Sequence, residues 1–305
     1  MQTKYKKYIN FIGNILVMIS FLIIYNIIID NYQKEFHLEF NFYTIFIIFC
    51  VLILNLFGYI LFSYTWVIQL KEKYSVISFI ISFYIISISQ IGKYLPGNIG
   101  HFVGRFYLAK KFISKKDIIY TIFIENIMFV IISLLFGILY TYYIDISEYK
   151  YLMNKLYITI SIIAIIFSIA LFKEYLRNKI NLLNINNLNL IKIFFIFFTM
   201  SLLAGLSIYI LLNLIVENHN ISYLQCIAGF ALSFLIGYIV PGAPGGIGVR
   251  EYSFVILFSP FIGEIYALEI ILIFRGISIL SDLLLFVIAK ILSKNTRFKK
   301  IYHYA

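Results

Sequence analysis

The chain has 305 residues, 62% of them hydrophobic and only 13% charged, with a mean hydropathy of +0.94. These values exclude a soluble domain. The longest polar stretch, Lys173 to Lys192, is too short for a folded extramembrane domain. The net charge of +11 does not point to nucleic acid, because the cations flank apolar spans where charge-biased topology and anionic lipid explain them.

A membrane helix needs about 20 apolar residues, and about eight stretches qualify: 9–29, 42–66, 74–92, 118–140, 151–172, 193–216, 221–240 and 266–289. The first follows Lys4, Lys6 and Lys7 but is longer than a signal-peptide core and lacks a small-residue cleavage site, so a retained anchor is expected. Cys50 and Cys226 lie in different spans and show no metal spacing, which predicts apolar packing. The expected fold class is all-α, one polytopic membrane domain over 1–305, with no cofactor.

Two strings interrupt this hydrocarbon. Pro96-Gly97-Asn98-Ile99-Gly100 is followed by Arg105, and Pro241-Gly242-Ala243-Pro244-Gly245-Gly246-Ile247-Gly248 by Arg250. Both carry Pro, then Gly one and four residues on, then Arg nine residues on. Helix-breaking backbone is tolerated at membrane depth only where it is buried in protein or lines a polar cavity. A matched pair of breaks, one in each half, is a pointer to a transport site.

Charge bias places Lys71 and Lys73 inside, the acidic loop with Asp30, Glu35 and Glu39 outside, and Lys110, Lys111, Lys115 and Lys116 inside again. The stretch after Gly97 must then return across the membrane. The basic C-terminal cluster from Lys290 to Lys300 demands the same of 241–263, in the opposite direction. Both termini are expected in the cytoplasm. The predicted architecture is about eight spans plus two Gly/Pro-broken re-entrant or half-helix segments, in a possible inverted repeat.

In the second string Gly245, Gly246 and Gly248 suit positive φ and close approach of a ligand. A helix is expected to start near Gly248, with Arg250 and Glu251 in its first turn and free N–H groups suited to a phosphate. Arg250 adds a possible bidentate clamp; the structural alternative is a tight packing turn with Arg250 salt-bridged. In the first string Gly97, Gly100 and Arg105 form the mirror candidate, and His101 is read as a structural residue.

Arg275 and Asp282 lie about 10 Å apart along the last span, too far to neutralise each other directly. Arg275 therefore needs another partner, with Glu251 and Glu125 as candidates. Glu264 and Glu269 are expected to be solvated at the outer end. The helix from Phe102 to Asp117 is expected to bring its lysines to anionic lipid at the interface.

Over 238–252, and less closely over 92–112, these motifs resemble the lysylphosphatidylglycerol synthase transmembrane-region family, which includes the flippase half of the multiple peptide resistance factor. Ile273-Phe274-Arg275-Gly276 resembles that family's last-span Arg, while Asn126 after Glu125 stands where the family carries Arg. Two-domain members add a soluble aminoacyl-transferase domain, and these 305 residues hold only the membrane unit. The resemblance implies translocation of an anionic phospholipid or a polyprenyl-linked lipid rather than an enzyme. A membrane glycosyltransferase using Asp30, Glu35 or Glu39, or a scaffold for an envelope-biosynthesis enzyme, are the alternatives.

Overall fold

A computed structural model describes residues 41–94, 99–140, 187–240 and 244–294, together with Leu22, Tyr25 and Ile29. The expected spans 151–172 and, apart from those three residues, 9–29 lie outside the described residues, as do Gly97 and Gly242. The described residues are helical, with no strand among them.

Four helices are long and apolar enough to cross a bilayer. They are α1 (Phe42–Leu70), α4 (Lys115–Tyr140), α5 (Asn187–Ile215) and α8 (Glu264–Ser293). Between them lie four shorter ones, α2 (Phe79–Gln90), α3 (Gly100–Ala109), α6 (Tyr223–Ile239) and α7 (Val249–Ile262). Starts are set by side chains that satisfy orphan N–H groups. Asn41 accepts from the Thr44 N–H at 2.9 Å, Ser114 from Asp117 at 3.2 Å, and Ser222 from Gln225 at 3.2 Å.

The short helices form two hairpins. In the first, α2 runs into a 3₁₀ turn (Ile91–Tyr94), and α3 folds back against it. A Cβ on Gly92 would come within 2.6 Å of the Gly100 backbone, so the arms meet where neither has a side chain. In the second, α6 leads through the break to a 3₁₀ turn (Pro244–Gly246) and α7 returns along α6. Positive φ at Gly245 (61°), Gly246 (72°) and Gly248 (84°) makes this turn possible.

The first hairpin enters and leaves at one end of the molecule. Lys73, just before α2, pairs with Asp117, just after α3, at 2.8 Å. The Tyr74 hydroxyl also donates to Asp117 and accepts from the Ser114 N–H. Helix α3 has 10 residues, about 15 Å, half of a ~30 Å hydrocarbon layer. The third apolar stretch and the segment after Gly97 thus go to mid-depth and back, instead of crossing and returning. Hydropathy predicts a full span here because it counts apolar residues and not their direction. Lys110, Lys111, Lys115 and Lys116 are exposed at the hairpin's mouth, the same end as Lys73.

Helix α8 relates the two hairpins. Its first residue follows Gly263 at the mouth of the second hairpin. Near its other end, Leu285 and Ala289 pack on Phe83 of α2. The hairpins therefore enter from opposite ends of this 30-residue helix, and their 3₁₀ tips touch in the interior. One apolar core, with Trp66, Ile85 and Ile124, surrounds the first hairpin; another, with Phe254, Phe258 and Ile271, surrounds the second. The outside of α1 is a ridge of bare apolar side chains, from Phe57 at 46% to Phe42 at 87% exposed. Such a surface is stable against lipid tails, not water.

Candidate functional site

The two tips, with α1, α4, α5, α6 and α8, enclose a cavity of about 290 Å³. Four cations line it: Lys93, Arg105, Arg250 and Arg275. Three have a carboxylate, each from a different element.

Arg105 on α3 donates to Glu125 on α4 at 2.6 Å, and Thr65 of α1 approaches the other carboxylate oxygen at 3.4 Å. Arg275 on α8 meets Glu251 on α7 at 2.5 Å and reaches the Gly245 carbonyl at 3.3 Å. Glu251 also accepts the Gly248 N–H at 2.6 Å. Its carboxylate thus sits at the start of α7, where sequence reasoning places a ligand phosphate. The third residue of the helix satisfies that terminus itself. Lys93, on the first tip, meets Asp282 of α8 at 2.5 Å. Asp282 is fully buried and accepts two more hydrogen bonds, from Tyr59 at 2.6 Å and Tyr94 at 2.5 Å.

The fourth cation, Arg250, has no carboxylate within ion-pair distance and no hydrogen-bond partner among the described residues, and neighbouring Glu251 acts on it only at longer range. It is 6% exposed, and its Nε is buried without an acceptor. Its guanidinium instead lies over three rings, 4.0 Å from Phe234, 4.8 Å from Phe230 and 5.7 Å from Phe274. Gly237 permits this seat, since a Cβ there would lie 2.7 Å from the Arg250 Cβ. Arg250 is therefore held by packing, and the structural alternative of a salt-bridged Arg250 does not apply among the described residues.

The pairing of Arg275 with Glu251 is one of the two the sequence offers, and Arg275 and Asp282 do not neutralise each other. Arg250, Arg105, Glu125, Arg275, Gly245 and Gly246 all line the cavity. Glu251 and Gly248 stand just behind it. Gly100 contributes through its close packing on Gly92, while Gly97 lies outside the described residues, as do Asp30, Glu35 and Glu39. Asn126 has no charge to pair; its side chain accepts from the Tyr238 hydroxyl. His101 is buried on the cavity wall, and its Nδ1 has no partner among the described residues. Glu264 is exposed as expected, but Glu269 is 1% exposed, because α8 turns that face inward instead of to solvent.

Sequence reasoning missed the Lys93–Asp282 pair and the aromatic seat of Arg250. One signal was available: the offset that relates Pro96 to Pro241 and Arg105 to Arg250 also relates Gly92 to Gly237. Both glycines let the two arms of a hairpin close.

Fold and site together define a multi-pass helical membrane protein with a cationic interior cavity between two hairpins that enter from opposite ends. The chain belongs to the family described as the lysylphosphatidylglycerol synthase TM region, whose model matches residues 37–285. No curated protein matches the chain.

Proposed function

We propose that this protein is a transporter that moves an anionic-head lipid, a phospholipid or a lipid-linked sugar, between the leaflets of the cytoplasmic membrane. The observation that carries this reading is Arg250: a buried cation that faces the cavity and forms no ion pair with a carboxylate among the described residues. A charge in the membrane interior costs about 2.5–3.5 kcal/mol on insertion scales. Three aromatic faces offset part of that, on the order of 2 kcal/mol for a desolvated cation. A phosphate would supply the missing charge and accept the guanidinium's parallel N–H groups.

Family membership supports a lipid-related role. The position of the cavity, between tips reached from opposite ends, suits a head group handed from one side to the other. In this reading Arg250 binds the phosphate, while Arg105, neutralised by Glu125, occupies the mirror position. Glu125, Glu251 and Arg275 set the charge of the cavity, and the Gly245–Gly246 turn keeps backbone close to the head group. Exchange is passive or driven by a gradient.

The test is leaflet exchange in proteoliposomes containing a fluorescent phosphatidylglycerol and a membrane-impermeant quencher. The reading expects protein-dependent quenching well beyond the outer-leaflet half of the label. Quenching that stops at the level of protein-free vesicles, for this lipid and for a fluorescent lipid-linked sugar, would contradict it.

A further inference from the structure

The cavity's charge inventory carries a statement about which head groups it accepts. It rests on reading the cavity as the head-group site. Every carboxylate at or next to the cavity among the described residues is already engaged. Glu125 is held by Arg105, Glu251 by Arg275 and the Gly248 N–H, and Asp282 by Lys93 and two tyrosine hydroxyls. Glu125 is the one carboxylate among the described residues that lines the cavity wall. On the other side of the ledger, four cations face three carboxylates, and the unmatched one is Arg250.

We infer that the site selects a phosphodiester monoanion whose head group carries hydroxyls and no cation, and disfavours aminoacylated or other ammonium-bearing lipids. One unpaired guanidinium matches one phosphodiester charge. An ammonium group entering beside it finds no free carboxylate among the described residues and meets Arg250 at close range in a medium of low dielectric, where like charges repel strongly. The neutral polar groups on the wall can accept from a hydroxyl but supply no charge to balance an ammonium. Ser207 and Ser278 donate to the Leu203 and Phe274 carbonyls, at 3.0 and 2.9 Å, so their oxygens are left to accept. Phosphatidylglycerol and a sugar joined through a single phosphate to a polyprenol share this chemistry. Lysylphosphatidylglycerol, with two ammonium groups beside its phosphate, does not.

The experiment is displacement of a fluorescent phosphatidylglycerol from the purified full-length chain in nanodiscs of neutral lipid. The competitors are unlabelled phosphatidylglycerol, a polyprenyl-monophosphate sugar, lysylphosphatidylglycerol and phosphatidylethanolamine. The expected result is that one or both phosphodiester monoanions compete about tenfold or more better than either ammonium lipid, and the better of the two identifies the source of the head group. Displacement by lysylphosphatidylglycerol as good as by both monoanions overturns the inference.

A second arm uses Arg105→Gln, which leaves Glu125 on the wall without its cation and open to pairing with an incoming ammonium. The ratio should then shift toward lysylphosphatidylglycerol by about tenfold, and an unchanged ratio in a stable, folded variant counts against the charge count. Binding is read here without transport. Selective binding with no leaflet exchange would sink the transport reading alone. Exchange with unselective binding would sink the selectivity alone.

Discussion

Arg105 and Arg250 hold equivalent places behind the two Pro-Gly breaks, yet among the described residues only Arg105 is paired with a carboxylate, Glu125 at 2.6 Å. Arg250 faces three phenyl rings instead. The same backbone device thus serves two purposes, a neutralised strut in the first half and an open cation in the second.

That asymmetry predicts different consequences for removing the two partners. Glu125→Gln strands Arg105 in the interior, and breaking a buried pair from one side costs about 3–5 kcal/mol. The melting temperature of the purified protein should fall clearly, and Arg105→Met with Glu125→Leu should recover much of the loss. A single variant as stable as wild type would mean that the pair contributes nothing.

The Lys93–Asp282 contact ties the tip of the first hairpin to α8. Replacing Asp282 by Asn leaves Lys93 without its charge partner and weakens the acceptor for Tyr59 and Tyr94. We expect a loss of about 3 kcal/mol or more, and greater protease sensitivity at the first break than at the second. Equal sensitivity at both would argue against a local role.

Gly237→Ala places a methyl group 2.7 Å from the Arg250 Cβ. Overpacking of this kind costs about 1–3 kcal/mol, and here it also pushes the guanidinium from its aromatic seat. Lipid exchange should fall by more than the stability loss explains. The control is Gly58→Ala, also on the cavity wall, where an added Cβ meets nothing within 4 Å and exchange should be nearly unchanged.

The mouth of the first hairpin is closed by Asp117, which pairs with Lys73 and accepts from Tyr74 and Ser114. Lys73 is partly exposed, so Lys73→Ala alone should cost less than about 1 kcal/mol. Asp117→Ala removes every one of these contacts and should open the mouth, read as faster hydrogen exchange at residues 74–78 and 110–116. Equal exchange in both variants would contradict the latch.

Much of this was readable from the sequence where local chemistry decides the outcome. Pro and Gly at fixed spacing mark the two breaks, Gly248 marks the start of α7, and a lone Arg275 in an apolar helix announces a partner, of which Glu251 was one of two candidates. What escaped depends on contacts between distant segments. Nothing near Lys93 points to Asp282, which reaches it only because the tip of one hairpin touches the last helix. Phe230 and Phe234, one helical turn apart, read as an ordinary apolar stripe, and only the return of α7 places Arg250 over them. The half-depth of the first hairpin escaped for a related reason: apolar length looks the same whether a chain crosses a membrane or turns back within it.

In the proposed transport cycle Arg250 is the cation the transported head group needs. The decisive comparison is leaflet exchange of fluorescent phosphatidylglycerol by wild type, Arg250→Lys and Arg250→Met, reconstituted at equal density and shown to melt within a few degrees of one another. Exchange by Arg250→Met should fall at least about tenfold, on the order of the 1.4 kcal/mol that one lost charge-assisted contact exceeds, with Arg250→Lys in between. Wild-type rates in a stable Arg250→Met protein would contradict this role for Arg250.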